Sequence, residues 1–222
     1  MNSLDDPRLQ AVLDRLHKAA RGDVKFFLRN IPMMTRMLLG REAPPPAEQS
    51  RIFKDVYIPI SRLQGRFLYL VARSLGAQRI VEFGTSFGIS TLYAAAAARD
   101  ESGQVIGSEL EPTKQRAATA HLAEAGLANF AEIRLGDARE TLRDVAGPID
   151  LLLLDGWKEM YLPMLQMLAP KLRPGAVVLA DNIKTFRRAL APYVEHVQNG
   201  RNGFASVTLP LADGFEYSVR LG

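Results

Sequence analysis

From Leu9 to Ile31 apolar residues recur every three or four positions, through Val12, Leu13, Leu16, Ala20, Val24, Phe27 and Leu28, which predicts helix interrupted near Gly22. Pro32 and then Pro44-Pro45-Pro46 bar one continuous helix and leave Met33, Met34, Met37, Leu38 and Leu39 as a short apolar segment between breakers. Methionine fills irregular gaps, so this segment is expected to pack on the core, with a lid as its other use.

After Ile60 the pattern changes. A helix over 62–75 leads into a short strand over 79–83. Apolar runs at about 104–108, 131–135, 150–154 and 176–180 then alternate with stretches of helical character at about 88–99, 112–125, 138–145, 159–172 and 184–197. Such alternation predicts a Rossmann-like α/β fold: a doubly wound, mostly parallel sheet with helices on both faces. Phe204 to Leu209 and Phe215 to Leu221 have no helix between them and are expected to pair antiparallel at one edge. The chain divides into an N-terminal helical extension over 1–56, a lid or dimer segment, and the α/β domain over 57–222.

The 222 residues suit one domain with a full core. Cysteine is absent, so disulfides, thiolate zinc sites and cysteine nucleophiles are excluded. With no apolar run of about 18 residues and no signal-like N-terminus, the expected setting is soluble and cytoplasmic, without a membrane partner. The formal charge is only +4, yet the stretch from Arg15 to Arg41 holds seven Lys or Arg and a single acid, Asp23. That stretch is expected to be a solvated helix face, with attraction of an anionic partner as the alternative.

Strand ends carry the candidate chemistry. Leu151-Leu152-Leu153-Leu154 stops abruptly at Asp155-Gly156-Trp157-Lys158, and Ala176-Val177-Val178-Leu179-Ala180 runs into Asp181-Asn182. Open α/β sheets place ligands at such carboxyl ends. Two carboxylates and an amide at neighbouring ends would suit a hard cation. Glu82-Phe83-Gly84-Thr85-Ser86-Phe87-Gly88-Ile89-Ser90 closes the first strand and opens a helix, and its glycines permit close backbone approach to a ligand. The spacing is not GxGxxG, which argues against a nicotinamide oxidoreductase. Glu109 ends the next strand, placed to accept ribose hydroxyls, and Gly136-Asp137-Ala138 ends the one after, placed to read an adenine amino group. Either acid alone would serve equally as a helix cap or a surface charge.

Taken in order, Glu82-Phe83-Gly84-Thr85-Ser86-Phe87-Gly88, Glu109, Gly136-Asp137-Ala138, Leu154-Asp155-Gly156-Trp157-Lys158 with Tyr161, and Ala180-Asp181-Asn182 resemble the S-adenosylmethionine-dependent O-methyltransferases of the catechol and caffeoyl-coenzyme A type. The resemblance covers roughly residues 60–222. It implies S-adenosylmethionine (SAM) as cofactor, held by Glu82, Gly84, Ser86, Ser90, Glu109, Asp137 and Ala138, with Asp155 and Trp157 beside it. It also implies a divalent cation, usually magnesium (Mg2+), on Asp155, Asp181 and Asn182, with Lys158 as the catalytic residue. Homodimerisation is common among such relatives.

The residues support this chemistry in their own right. Two carboxylates and one amide oxygen leave three positions of an octahedron for water or for adjacent substrate oxygens. Metal coordination lowers a hydroxyl pKa, and Lys158 either accepts the proton or, if it stays charged, stabilises the oxyanion. Trp157, the only tryptophan, either walls the cofactor or packs. The resemblance also has departures. The stretch 199–212 contains no Asp or Glu where the catechol enzyme holds its second phenolic hydroxyl, and the connection after Asn182 is short, which implies a more open pocket. Lys184, Arg187 and Arg188 near the expected mouth are read as solvated charge, with an acidic or phosphorylated acceptor as the alternative. The expected acceptor is a hydroxylated small molecule with adjacent oxygens, catechol-like, phenylpropanoid or polyketide-like. A tRNA hydroxyuridine methyltransferase and a non-catalytic SAM-binding protein are the other readings.

Overall fold

Leu151 to Leu154 are each at most 1% exposed, because helices cover both faces of the strand they form. Their side chains alternate between the two faces. Leu151 and Leu153 enter one apolar cluster with Ile80, Val177 and Leu179, whereas Leu152 and Leu154 enter a second with Val81, Val178 and Ala180. Two cores separated by one sheet result.

The computed structural model describes residues 2–38 and 44–222; Leu39 and Arg41 lie outside the described residues. The extension contains α1 (Pro7–Ala20), α2 (Asp23–Arg29), α3 (Ile31–Leu38) and α4 (Pro46–Ile52). The α/β domain runs α5 (Arg62–Ser74), β1 (Arg79–Phe83), α6 (Ile89–Asp100), β2 (Gln104–Glu109), α7 (Pro112–Glu124), β3 (Ala131–Leu135) and α8 (Ala138–Thr141). It continues with β4 (Ile149–Leu154), α9 (Tyr161–Leu168), β5 (Leu172–Ala180), α10 (Arg187–Gln198), β6 (Phe204–Leu209) and β7 (Phe215–Arg220). The sheet order is β3-β2-β1-β4-β5-β7-β6, parallel from β3 through β5 and antiparallel at β7 and β6. The order reverses beside β1, so the switch point of the sheet lies between β1 and β4.

Several boundaries differ from expectation for physical reasons. The helix expected over 138–145 stops at Thr141, and that over 159–172 is confined to Tyr161–Leu168 between 3₁₀ turns, with Pro170 inside the second. Strand β5 therefore starts at Leu172 and absorbs Pro174-Gly175, with a register irregularity opposite Ile149 and Leu151. α10 begins at Arg187 because Lys184 and Thr185 are tied to Asp213 instead.

On the first face, α1 buries Leu9, Val12, Leu13 and Leu16 against α6, whose Ala94 to Ala98 are at most 1% exposed. α5 starts with a capping box in which Ser61 and Gln64 exchange side-chain and backbone bonds. The methionine-rich segment departs from the expected core packing. α3 has no buried residue, and its Met34 and Met37 line a cavity. The apolar spacing of Met34 and Met37 does not separate the two settings, because a cavity wall and a core demand the same periodicity.

Candidate active site

A cavity of about 320 Å³ opens over the carboxyl ends of β1, β2, β3, β4 and β5. The glycine loop forms its floor. Gly84 has φ +97°, and a Cβ there would sit 2.5 Å from Gly156 N, so the loops after β1 and β4 touch at a position where only glycine fits. Gly88, at φ +85°, caps α6.

Glu82 stands behind this loop and does not line the cavity. It is fully buried and accepts hydroxyl bonds from Ser90 (2.6 Å), Thr91 (2.5 Å) and Thr85 (2.9 Å). Burial pushes its carboxyl above the usual range while the three hydroxyls oppose the shift. Its geometry holds the loop in place, whereas Gly84, Ser86 and Ser90 reach the cavity themselves.

Glu109 lines the cavity and accepts from Ser86 N at 2.7 Å and from Glu111 N at 2.8 Å. Asp137 and Ala138 line it further along. Asp137 also caps α8 and pairs with Arg139 at 2.5 Å, so the helix-cap role and the cavity position coexist. The Arg139 guanidinium holds the Asp137 carboxyl below its usual range.

The ends of β4 and β5 bring the second group together. Asp155, Trp157, Lys158 and Asn182 line the cavity, while Asp181 is 3% exposed just behind them. Burial, with the neighbouring Asp181 charge, pushes the Asp155 carboxyl well up. Burial likewise raises Asp181 to about 6. Lys158 Nζ lies 3.8 Å from Asp155 Oδ1 and donates to Tyr161 Oη at 2.8 Å. Its enclosure lowers the ammonium pKa against the pull of both carboxylates. A solvated helix-start lysine does not fit this setting, with a side chain only 14% exposed. Trp157 both walls the cavity and packs, its ring 5.7 Å from Phe53.

In chemistry the donor set is of the kind a hard divalent ion takes: burial raises both carboxylates, the Asp181 charge adds to the rise at Asp155, and Asn182 Nδ2 donates to Asp213 at 3.2 Å, which leaves the amide oxygen for coordination. Asn182 is held at φ +67°, and Ser86 and Ile58 on the same cavity stand at +50° and +43°. Backbone strain is thus gathered around this cavity.

Some partners were not legible in the sequence. Gln64 Nε2 donates to Asp181 Oδ1 at 2.6 Å, and Asp213 Oδ1 binds Thr185 Oγ1 at 2.6 Å, which fixes the segment after Asn182. Lys114, 6% exposed, donates to Val56 O at 2.8 Å and Ser86 Oγ at 3.1 Å. Asp23 Oδ2 accepts from Tyr57 N and Ile58 N, both at 3.0 Å. These bonds join the extension to the glycine loop, so the cavity expected to be open is walled on that side. Lys184, Arg187 and Arg188 are exposed and do not line it.

Comparison with known proteins agrees with this geometry. Residues 81–183 match a methyltransferase domain model. The catechol O-methyltransferase of Mycobacterium tuberculosis is 37% identical over 127 residues, 57% of this chain and 57% of that protein, so the match spans little more than half of the relative. A protein of Mycobacteroides abscessus assigned as an O-methyltransferase is 30% identical over 178 residues, 73% of this chain and 81% of its own length. The solved structure of the O-methyltransferase TomG from Streptomyces achromogenes, in complex with SAM, superposes with a TM-score of 0.69 at 26% identity, covering 82% of this chain and 92% of TomG. Five motifs at five strand ends, one cavity beneath them and these relatives lead to one conclusion: the chain belongs to the class I, S-adenosylmethionine-dependent O-methyltransferase family.

Proposed function

We propose that the protein transfers the methyl group of SAM to a hydroxyl of a small molecule bearing adjacent oxygens, assisted by a divalent cation. The observation that carries this reading is the convergence in one cavity of the glycine loop, Glu109 and Asp137 with Asp155, Lys158 and Asn182. Cofactor residues and proton-handling residues thereby face the same space.

Gly84, Ser86 and Ser90 would hold the amino-acid part of SAM, Glu109 the ribose hydroxyls, and Asp137 with Ala138 the adenine end. Asp155, Asp181 and Asn182 would hold Mg2+, which supplies Lewis-acid polarisation of the acceptor hydroxyl. Lys158, with its lowered pKa and its place beside Asp155, takes the hydroxyl proton on Nζ or, while charged, balances the oxyanion. Transfer itself needs in-line placement of oxygen, methyl carbon and sulfur, which binding of cofactor and acceptor in the same cavity would favour.

The test is transfer of labelled methyl from SAM to vicinal-dihydroxy aromatics by chelator-treated protein, with and without added magnesium or manganese. Transfer that depends on the metal is the expected result. Metal-independent transfer removes the role given to Asp155, Asp181 and Asn182, and no transfer to any hydroxylated acceptor overturns the reaction.

A further inference from the structure

Met34 and Met37 of α3, Phe27 of α2 and Phe53 just after α4 line the cavity together with Phe186. α3 buries no residue in the core; its Met34 and Met37 face the cavity, while Ile31 and Leu38 are exposed. The wall is anchored to the reacting end. Phe26, Phe53 and Trp157 form a chain of rings at 5.2 and 5.7 Å, and Gln49, 1% exposed, donates to Glu159 Oε1 at 2.7 Å in the turn that carries Lys158.

Charge is arranged differently. Among the described residues, the cations that line the cavity are Lys114, Arg139 and Lys158. Each is engaged: Lys114 with Val56 O and Ser86, Arg139 with Asp137, and Lys158 with Tyr161 and Asp155. None of the three is free to meet an anionic tail in this cavity, and among the described residues Arg36, the neighbour of Met37, lines a separate hollow with Pro32, Met33 and Pro44 instead. An anion desolvated against thioethers and phenyl rings without a partner is strongly disfavoured.

Resting on the O-methyl transfer reading, we propose that α3 and α4 form an acceptor-selecting wall. It admits a hydroxylated acceptor whose remaining body is uncharged and apolar, and rejects one that carries a carboxylate or phosphate there. Met34 and Met37 are the specificity-determining residues, and their flexible side chains fit irregular apolar bodies.

Trp157 is the only tryptophan and lines the cavity, so its fluorescence reports acceptor binding without turnover. The experiment titrates two matched dihydroxyphenyl compounds, one with an alkyl tail and one with a carboxylate-ended tail of equal length, in the presence of S-adenosylhomocysteine. The alkyl compound is expected to bind at least about tenfold tighter. Met37→Arg is expected to tighten the carboxylate compound by about tenfold and weaken the alkyl one, with S-adenosylhomocysteine affinity unchanged. Equal or tighter binding of the carboxylate compound by the unaltered protein overturns the proposal, as does a Met37→Arg variant with both affinities unchanged. Methyl transfer is read separately in the same samples: preference in binding without transfer supports the wall and counts against the reaction.

Discussion

Gln64 Nε2 donates to Asp181 Oδ1 at 2.6 Å while Gln64 Oε1 accepts from Ser61 N at 2.9 Å, so one side chain both starts α5 and fixes a candidate metal-ligating carboxylate. Gln64→Leu breaks both bonds and leaves a buried carboxylate short of a donor. The expected loss is about 2 kcal/mol of stability, read in denaturant unfolding. Divalent-metal affinity is expected to fall roughly 10-fold or more, read by calorimetry. Unchanged metal affinity would separate Gln64 from the site.

Lys158 is enclosed between Asp155, the Tyr161 hydroxyl and the Phe186 ring, 5.7 Å from Nζ. Lys158→Met is expected to lower kcat by about 100-fold or more, with SAM affinity kept within a factor of about two. Lys158→Arg is expected to give little rescue, since a guanidinium neither fits the enclosure nor releases its proton. A kcat near the starting value in Lys158→Met would remove the lysine from the chemistry.

Glu82 accepts from three hydroxyls, and an amide in its place presents donors to donors. Glu82→Gln should lose about 2 kcal/mol in thermal or denaturant unfolding and weaken SAM binding through the loop that carries Ser90. If SAM binding stays intact in a destabilised variant, the glycine loop does not depend on this network.

The strand ends were readable because β4 and β5 are long apolar runs that stop sharply at Asp155 and Asp181, a signal local in sequence. Gln64, Gln49, Lys114 and Asp23 were not, because their partners lie 117, 110, 58 and 34 residues away and only the fold pairs them. Met34 and Met37 were misplaced for another reason. Their spacing says that a face is apolar, and whether a core or a ligand covers it is decided by tertiary packing.

His17 supplies a pH dependence. Its Nε2 is buried without a partner, and burial, followed by the Arg62 charge, lowers the imidazole below its usual pKa of 6.5. The unfolded chain therefore takes up a proton before the folded one does. The contribution to stability is complete above about 6.5 and is lost as pH falls from there toward the lower folded value. Melting temperatures between pH 7.5 and 5 should fall more steeply for the unaltered protein than for His17→Leu. Parallel slopes would exclude His17 as the source.

The position of β7 has a consequence for synthesis. Residues 215–220 form an inner strand flanked by β5 and β6, although they are made after both. Until they leave the ribosome, the edge of β5 that leads to Asp181 has no neighbour, and β6 has no ladder at all. An open apolar edge of this kind recruits other chains. The nascent protein thus stays open to misassociation until residues 215–220 have emerged, and insertion of β7 between β5 and β6 closes that edge.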